Sequence, residues 1–256
     1  MRRHSARCGV MVAAVGAWCL GAVPVLAEDH PDFTGVWTWY VEPGGGQPFR
    51  LGPSGPPLPF KKGAQKKVDE YQHLTAATGD NPSAHCLGSG MPASMQFSGG
   101  YPMEIIQRPE QITVIYEAHT ELRRIYMTDK IAPADRLPSR NGYSRGHWEG
   151  DTLVVETTNL EEQVDQRYAH SANAKIVEKY HLTMDPKGTK VLVDDFTLTD
   201  PDFYKKPVSD EKKWAFVPNG VMLPYECEEE GWLDHLADLK AQDDAAKAAE
   251  KAKGGK

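Results

Sequence analysis

His170 is followed by Ser171 on a polar segment, and the strand-like run beyond it carries Glu178. A histidine on a loop held by a rigid frame titrates near neutrality, which suits a general base, and a carboxylate can orient its ring. Ser171 does not become its nucleophilic partner by adjacency, because chain neighbours seldom present their side chains to each other. Arg123 offers a planar fork able to grip a substrate carboxylate through two parallel bonds. Glu117 and Arg123 flank the bend at 118–121, where they are expected to face each other across a hairpin; a simple cross-strand ion pair is the plainer account. Tyr116, Tyr126, Tyr143, His147 and Glu156 complete the polar set.

On a regular strand Arg123 and Tyr126, three apart, point to opposite faces unless a bulge intervenes. Arg123 is expected inward, since a buried guanidinium needs partners and Tyr116 and Glu117 are the nearest supply. Metal chemistry is a weaker reading. His147, Glu149 and Asp151 are spaced by two, but Gly150 turns the segment into a bend, so no metal is assigned. A zinc signature, a phosphate loop, a dinucleotide glycine pattern and a Gly-x-Ser-x-Gly elbow are all missing from the sequence, and no cofactor is assigned.

These side chains must be positioned by strands. Residues 142–158, GYSRGHWEGDTLVVETT, predict a hairpin with arms Ser144–Trp148 and Thr152–Thr158 and a turn at Glu149-Gly150-Asp151. Met103–Gln107, Ile112–Glu117 and Leu122–Met127 read as a meander. Ala174–Met184, Val191–Leu198 and Val221–Cys227 alternate in the same way, and Asp32–Tyr40 opens the fold as an aromatic strand in which Trp37 is expected to be buried. Eight or nine strands in sequence predict one antiparallel barrel, which removes exposed sheet edges. Apolar spacing over Lys61–Ala77 predicts a short helix, a candidate to lie across an open barrel end. The Gly- and Pro-rich stretch 42–63, the run 86–101 and residues 131–141 read as loops.

Residues 1–27 read as a secretory signal: Arg2, Arg3 and Arg7 precede the apolar run Val10–Val23, and Val25-Leu26-Ala27 offers a cleavage site. Its loss takes the formal charge from −7 to −10, which argues against nucleic acid as a partner. No later segment is apolar enough for a spanning helix, so no stable membrane anchor is expected. The remaining 229 residues divide into a barrel domain over 28–236 and an alanine- and lysine-rich tail over 237–256, read as frayed helix or disorder. Cys86 and Cys227 are the cysteines left after cleavage. In an oxidising compartment they are expected to pair, tying the loop before the strands to the last strand; one catalytic thiol beside a bystander is the alternative.

The runs YPMEIIQRPEQITVIYEAHTELRRIYM, GHWEGDTLVVETT, AHS, IVEKY, TDP and YECEEE together resemble a family of secreted, periplasmic bacterial proteins of uncharacterised function marked by the WEGDTLVV hairpin. The resemblance runs from Gly35 to Glu230 and implies a lipocalin-like β-barrel, as does the Gly-x-Trp at 35–37. Glu117, Arg123, Trp148, Gly150, Asp151, His170, Ser171, Glu178 and both cysteines match the family's pattern. Three places depart from it: Gly142-Tyr143-Ser144 stands for Gly-His-Ser, Thr128-Asp129-Lys130 for Asp-Gly-Arg, and Ala172 for a glutamate after His-Ser. If those positions line the pocket, this member takes a different ligand.

Two functions compete. One is a cofactor-free lyase or decarboxylase on a phenolic or other aromatic acid, by analogy with phenolic acid decarboxylases, which are similar only as lipocalin-like barrels. In that reading His170 is the base, Glu178 orients it, Tyr126 supplies a phenol, and Arg123, Tyr116, Glu117, His147, Glu156 and Tyr143 bind substrate. The other is a non-catalytic carrier of a small aromatic or apolar ligand, which needs only the pocket.

Overall fold

The computed structural model describes residues 30–42, 57–97, 100–129 and 131–254. The signal segment 1–27 and most of the Gly- and Pro-rich loop lie outside them. Nine strands close into a barrel in sequence order: β1 (Gly35–Trp39), β2 (Met103–Arg108), β3 (Gln111–Tyr116), β4 (Glu121–Tyr126), β5 (Tyr143–Glu149), β6 (Thr152–Thr158), β7 (Lys175–Met184), β8 (Lys190–Thr199) and β9 (Val208–Val217). Helices α1 (Lys62–Thr75), α2 (Ala93–Gln96) and α3 (Cys227–Gly254) accompany them.

Alternation builds the wall. In β3 the sequence QITVIY buries Ile112, Val114 and Tyr116 and turns the residues between them outward. The hairpin forms as expected, with Gly150 at φ +61 in its turn, a conformation that L side chains resist. Tight turns gather at one end of the barrel, where Trp37 is fully buried, donates its indole N–H to the Phe33 carbonyl at 2.8 Å and packs edge-on to Phe216. The long connections gather at the other end, and there the buried α2 plugs the mouth: Met95 Sδ accepts the Tyr116 hydroxyl at 3.6 Å and Gln96 Nε2 donates to Asp194 at 3.1 Å. Helix α1 lies beside this end, its backbone anchored to Phe203 and its Ala64 and Val68 buried.

Several expectations need correction. The barrel is mixed: β4 and β5 run parallel, with Ile125 opposite Ser144 and Tyr126 opposite Arg145, because the 127–142 connection turns back along the barrel instead of making a hairpin. The last strand is Val208–Val217, pairing with both β8 and β1, and not Val221–Cys227. That segment contains Pro224 and has no strand partner, and the chain is helical from Cys227 to Gly254. The disulfide Cys86–Cys227 is present, with Cα atoms 5.6 Å apart, but it joins the 3-10 turn Pro82–His85 to the start of α3. In the entropic account, closing a loop of 141 residues stabilises the fold by about 4 to 5 kcal/mol before any strain.

Candidate functional site

Arg123 points into the barrel, with its side chain 1% exposed. Its Nη1 donates to Glu178 Oε1 at 3.0 Å and to the Tyr180 hydroxyl at 3.1 Å; Nη2 donates to Thr157 Oγ1 at 3.0 Å and to Glu178 Oε2; Nε donates to Ser144 Oγ at 3.2 Å. Tyr180 donates to Glu178 Oε1 at 2.5 Å. The inward register explains the meeting: Glu178 and Tyr180 alternate on β7, while Ser144 and Thr157 face each other across β5 and β6. Burial opposes the guanidinium charge, but Glu178, Tyr180 and Tyr116 outweigh it and hold its pKa well above the ordinary value. Burial also raises the Tyr116 and Tyr180 phenols, and it drives the Asp194 carboxyl well above the usual range, with the Glu178 charge adding to the effect.

The expected pairing of Arg123 with Glu117 is not made. Val114 is opposite Arg123 in the ladder, and Glu117 instead accepts the Leu223 N–H at 2.7 Å. His170 does not meet Glu178 either. Its Nδ1 lies 2.9 Å from the Tyr168 carbonyl, and its Nε2 is buried without a partner, while both Glu178 oxygens serve Arg123. Burial lowers the imidazole pKa and favours the neutral ring. Ser171 bonds to Asp200, through its N–H at 2.6 Å and its hydroxyl at 3.0 Å. His147 and Glu156 face outward: His147 lies 3.3 Å from Glu149, and Glu156 pairs with Lys175. Of the residues singled out in the sequence, Arg123, Tyr116 and Glu178 therefore share the interior, and Tyr126 and Tyr143 share a second place.

That second place is a cleft of about 270 Å³ between the outer face of β4 and the connection that returns to β5. Leu122, Arg124 and Tyr126 come from alternate positions of β4; Asp135, Arg136, Asn141 and Tyr143 come from the connection and the first residue of β5. The rings of Tyr126 and Tyr143 stack with centroids 5.1 Å apart, and the Arg136 guanidinium lies 4.2 Å from the Tyr143 centroid. Gly142, at φ +61, lets the backbone pass the Thr158 carbonyl, where an added Cβ would come within 2.5 Å. Two polar atoms of the cleft, Tyr143 Oη and Asn141 Oδ1, are buried without a hydrogen-bond partner. Arg136 and Asn141 were not singled out in the sequence, because loop residues have no periodicity to give them away. Among the described residues no group of three or more His, Cys, Asp or Glu side chains could hold a metal ion, and no helix is long and apolar enough to cross a membrane. Comparison with protein families, with characterised proteins and with solved structures found no match to this chain.

Proposed function

We propose that this chain is a lipocalin-like barrel protein of the bacterial periplasm, related to the secreted family its WEGDTLVV hairpin resembles, and that it binds a small aromatic acid in the outer cleft as a carrier, without a cofactor. The observation that carries this reading is the pair of buried, unpartnered polar atoms, Tyr143 Oη and Asn141 Oδ1, beside stacked tyrosines and two arginines. Buried polar groups are normally satisfied, so two in one cleft point to a ligand that completes them. A flat ring suits the tyrosine wall, and Arg124 and Arg136 suit a carboxylate. Of the three departures from the family pattern, Tyr143 lines the cleft, and Asp129, outside its lining, bonds to Arg145 at 2.8 Å and lies 3.9 Å from Arg136. Those replacements fit a ligand particular to this member.

The carrier reading is preferred over the lyase because the groups a lyase would combine do not converge. The Arg123 fork is occupied by Glu178, and His170 has no carboxylate at its ring. Calorimetric titration with 4-hydroxybenzoate, alongside mass analysis of the same mixtures, tests the proposal. Saturable binding that weakens about tenfold for the corresponding amide, with no loss of carbon dioxide, is expected. Equal binding of acid and amide would overturn the carboxylate assignment, and release of carbon dioxide would restore the lyase.

A further inference from the structure

A serine and a histidine meet beside the disulfide. Ser83 lies on the 3-10 turn Pro82–His85 and is exposed, and its Oγ stands 3.0 Å from His119 Nε2. His119 comes from the short turn Ala118–Thr120 between β3 and β4, where it and Thr120 hold φ at +61 and +49, a region that residues other than glycine seldom enter. Backbone of this kind persists only where its surroundings fix it, and it gathers at functional sites. Three contacts fix it here. Glu117, at the head of the turn, accepts the Leu223 N–H at 2.7 Å; Tyr225 sets its ring edge-on to the imidazole at 4.9 Å; and Cys86–Cys227 ties the Ser83 turn to that same segment. Tyr101, 40% exposed, meets Tyr225 at 5.5 Å. His119 Nδ1 is buried without a hydrogen-bond partner.

We propose that Ser83 and His119 form a nucleophile–base pair that cleaves small uncharged aryl esters. A neutral imidazole carries one proton; with it on Nδ1, Nε2 accepts the Ser83 hydroxyl, the relation that activates a serine. Burial lowers the His119 pKa from its ordinary value, which keeps the ring neutral and basic, while the Glu121 charge favours the imidazolium that forms during attack. In the first step Ser83 Oγ bonds to the acyl carbon, its proton passes to Nε2, the ester C–O bond breaks and the departing phenol oxygen takes that proton. In the second, water adds to the acyl carbon and gives a proton to Nε2, and the bond from the acyl carbon to Oγ breaks as Oγ takes the proton back. One ester and one water become one acid and one phenol, and both residues are restored. The rings of Tyr101 and Tyr225 give an aryl group a surface to pack against. The net charge of −7 argues against an anionic ester.

The test is acyl trapping: the disulfide-intact chain is mixed with 4-nitrophenyl acetate near neutral pH, nitrophenolate release is followed, and the acetyl group is located by peptide mass spectrometry. Ser83 should be acetylated about a hundredfold faster than any other hydroxyl. Ser83→Ala and His119→Asn should each lose that adduct and retain the barrel's circular dichroism, asparagine being suited to the positive φ. Because the parent chain is mapped directly, the result does not depend on either variant folding. Reducing Cys86–Cys227 should slow Ser83 acetylation about tenfold, since it releases the turn that presents Oγ to the ring. Acetyl groups on lysines with Ser83 unlabelled, Ser83 labelling that survives His119→Asn, or a rate indifferent to reduction overturns the proposal.

Discussion

Arg123 and Arg136 each lie beside a tyrosine, on opposite sides of the barrel wall, and their surroundings differ in kind. Arg123 has both oxygens of a carboxylate and three hydroxyls around it, all inside the barrel. Arg136 has the Ile131 carbonyl at 3.2 Å, an exposed Asp129 at 3.9 Å and the face of Tyr143. A buried charge whose partners are all internal holds a fold together and has little left for a ligand. A partly buried cation over a ring, its side chain 20% exposed, with unpartnered polar atoms beside it, has capacity to spare.

The largest effect should come from breaking the inner set. Glu178→Ala strands the Arg123 charge and should cost about 3 to 5 kcal/mol in urea unfolding, whereas Arg123→Met combined with Glu178→Leu should recover most of that loss. Equal destabilisation by the single and double changes would show that volume, not charge, governs the interior. Next, Cys86→Ser should lower stability by about 2 to 4 kcal/mol and leave 4-hydroxybenzoate binding unchanged, since the disulfide touches neither arginine. A loss of binding would mean that the cleft depends on the disulfide's hold on α3. Arg136→Ala should reverse that pattern, weakening 4-hydroxybenzoate by about tenfold in calorimetry while unfolding within roughly 1 kcal/mol of the parent.

The smallest effect sharpens the inner side. The Asp194 pKa is raised in the fold, so its contribution to stability is complete below the unfolded value of 3.8 and is lost as pH rises through the folded value. His170 acts in the other direction. Its folded pKa is lowered from 6.5, so its contribution is present above that value and declines as pH falls through it. Asp194→Asn keeps the acceptor for Gln96 and removes the acid, so it should gain stability over the parent at about pH 8 but not at about pH 3.5. Urea midpoints of the two proteins at the two pH values decide this; a constant difference would assign the effect to packing.

Much of this was legible in the sequence, and the gaps have physical causes. The 143–158 hairpin, the 103–126 meander and the inward choice of Arg123 over Tyr126 follow from local alternation. β9 was hidden because its inward positions toward the rim are Asp210 and Lys212, so VSDEKKWAFV lacks the apolar alternation expected of a strand, whereas 221–227 has apolar residues but no partner. Glu178 was assigned to His170 because the two are close in sequence; Arg123 claims it across the barrel, a relation set by the registers of strands far apart in the chain. The direction of β5 depends on the path of a loop, which composition does not encode.

The parallel β4–β5 contact divides the barrel into two meanders, β1–β4 and β5–β9, that meet there and at the β1–β9 closure. Ser144, Thr157, Glu178 and Tyr180, which accept hydrogen bonds from Arg123, all belong to the second meander, while Arg123 itself belongs to the first. The buried ion pair is therefore not an internal brace of either half but the key by which one half recognises the other. A second meander docked one residue out of register would present the outward neighbours of Glu178, Val177 and Lys179, to the guanidinium and leave it without a carboxylate.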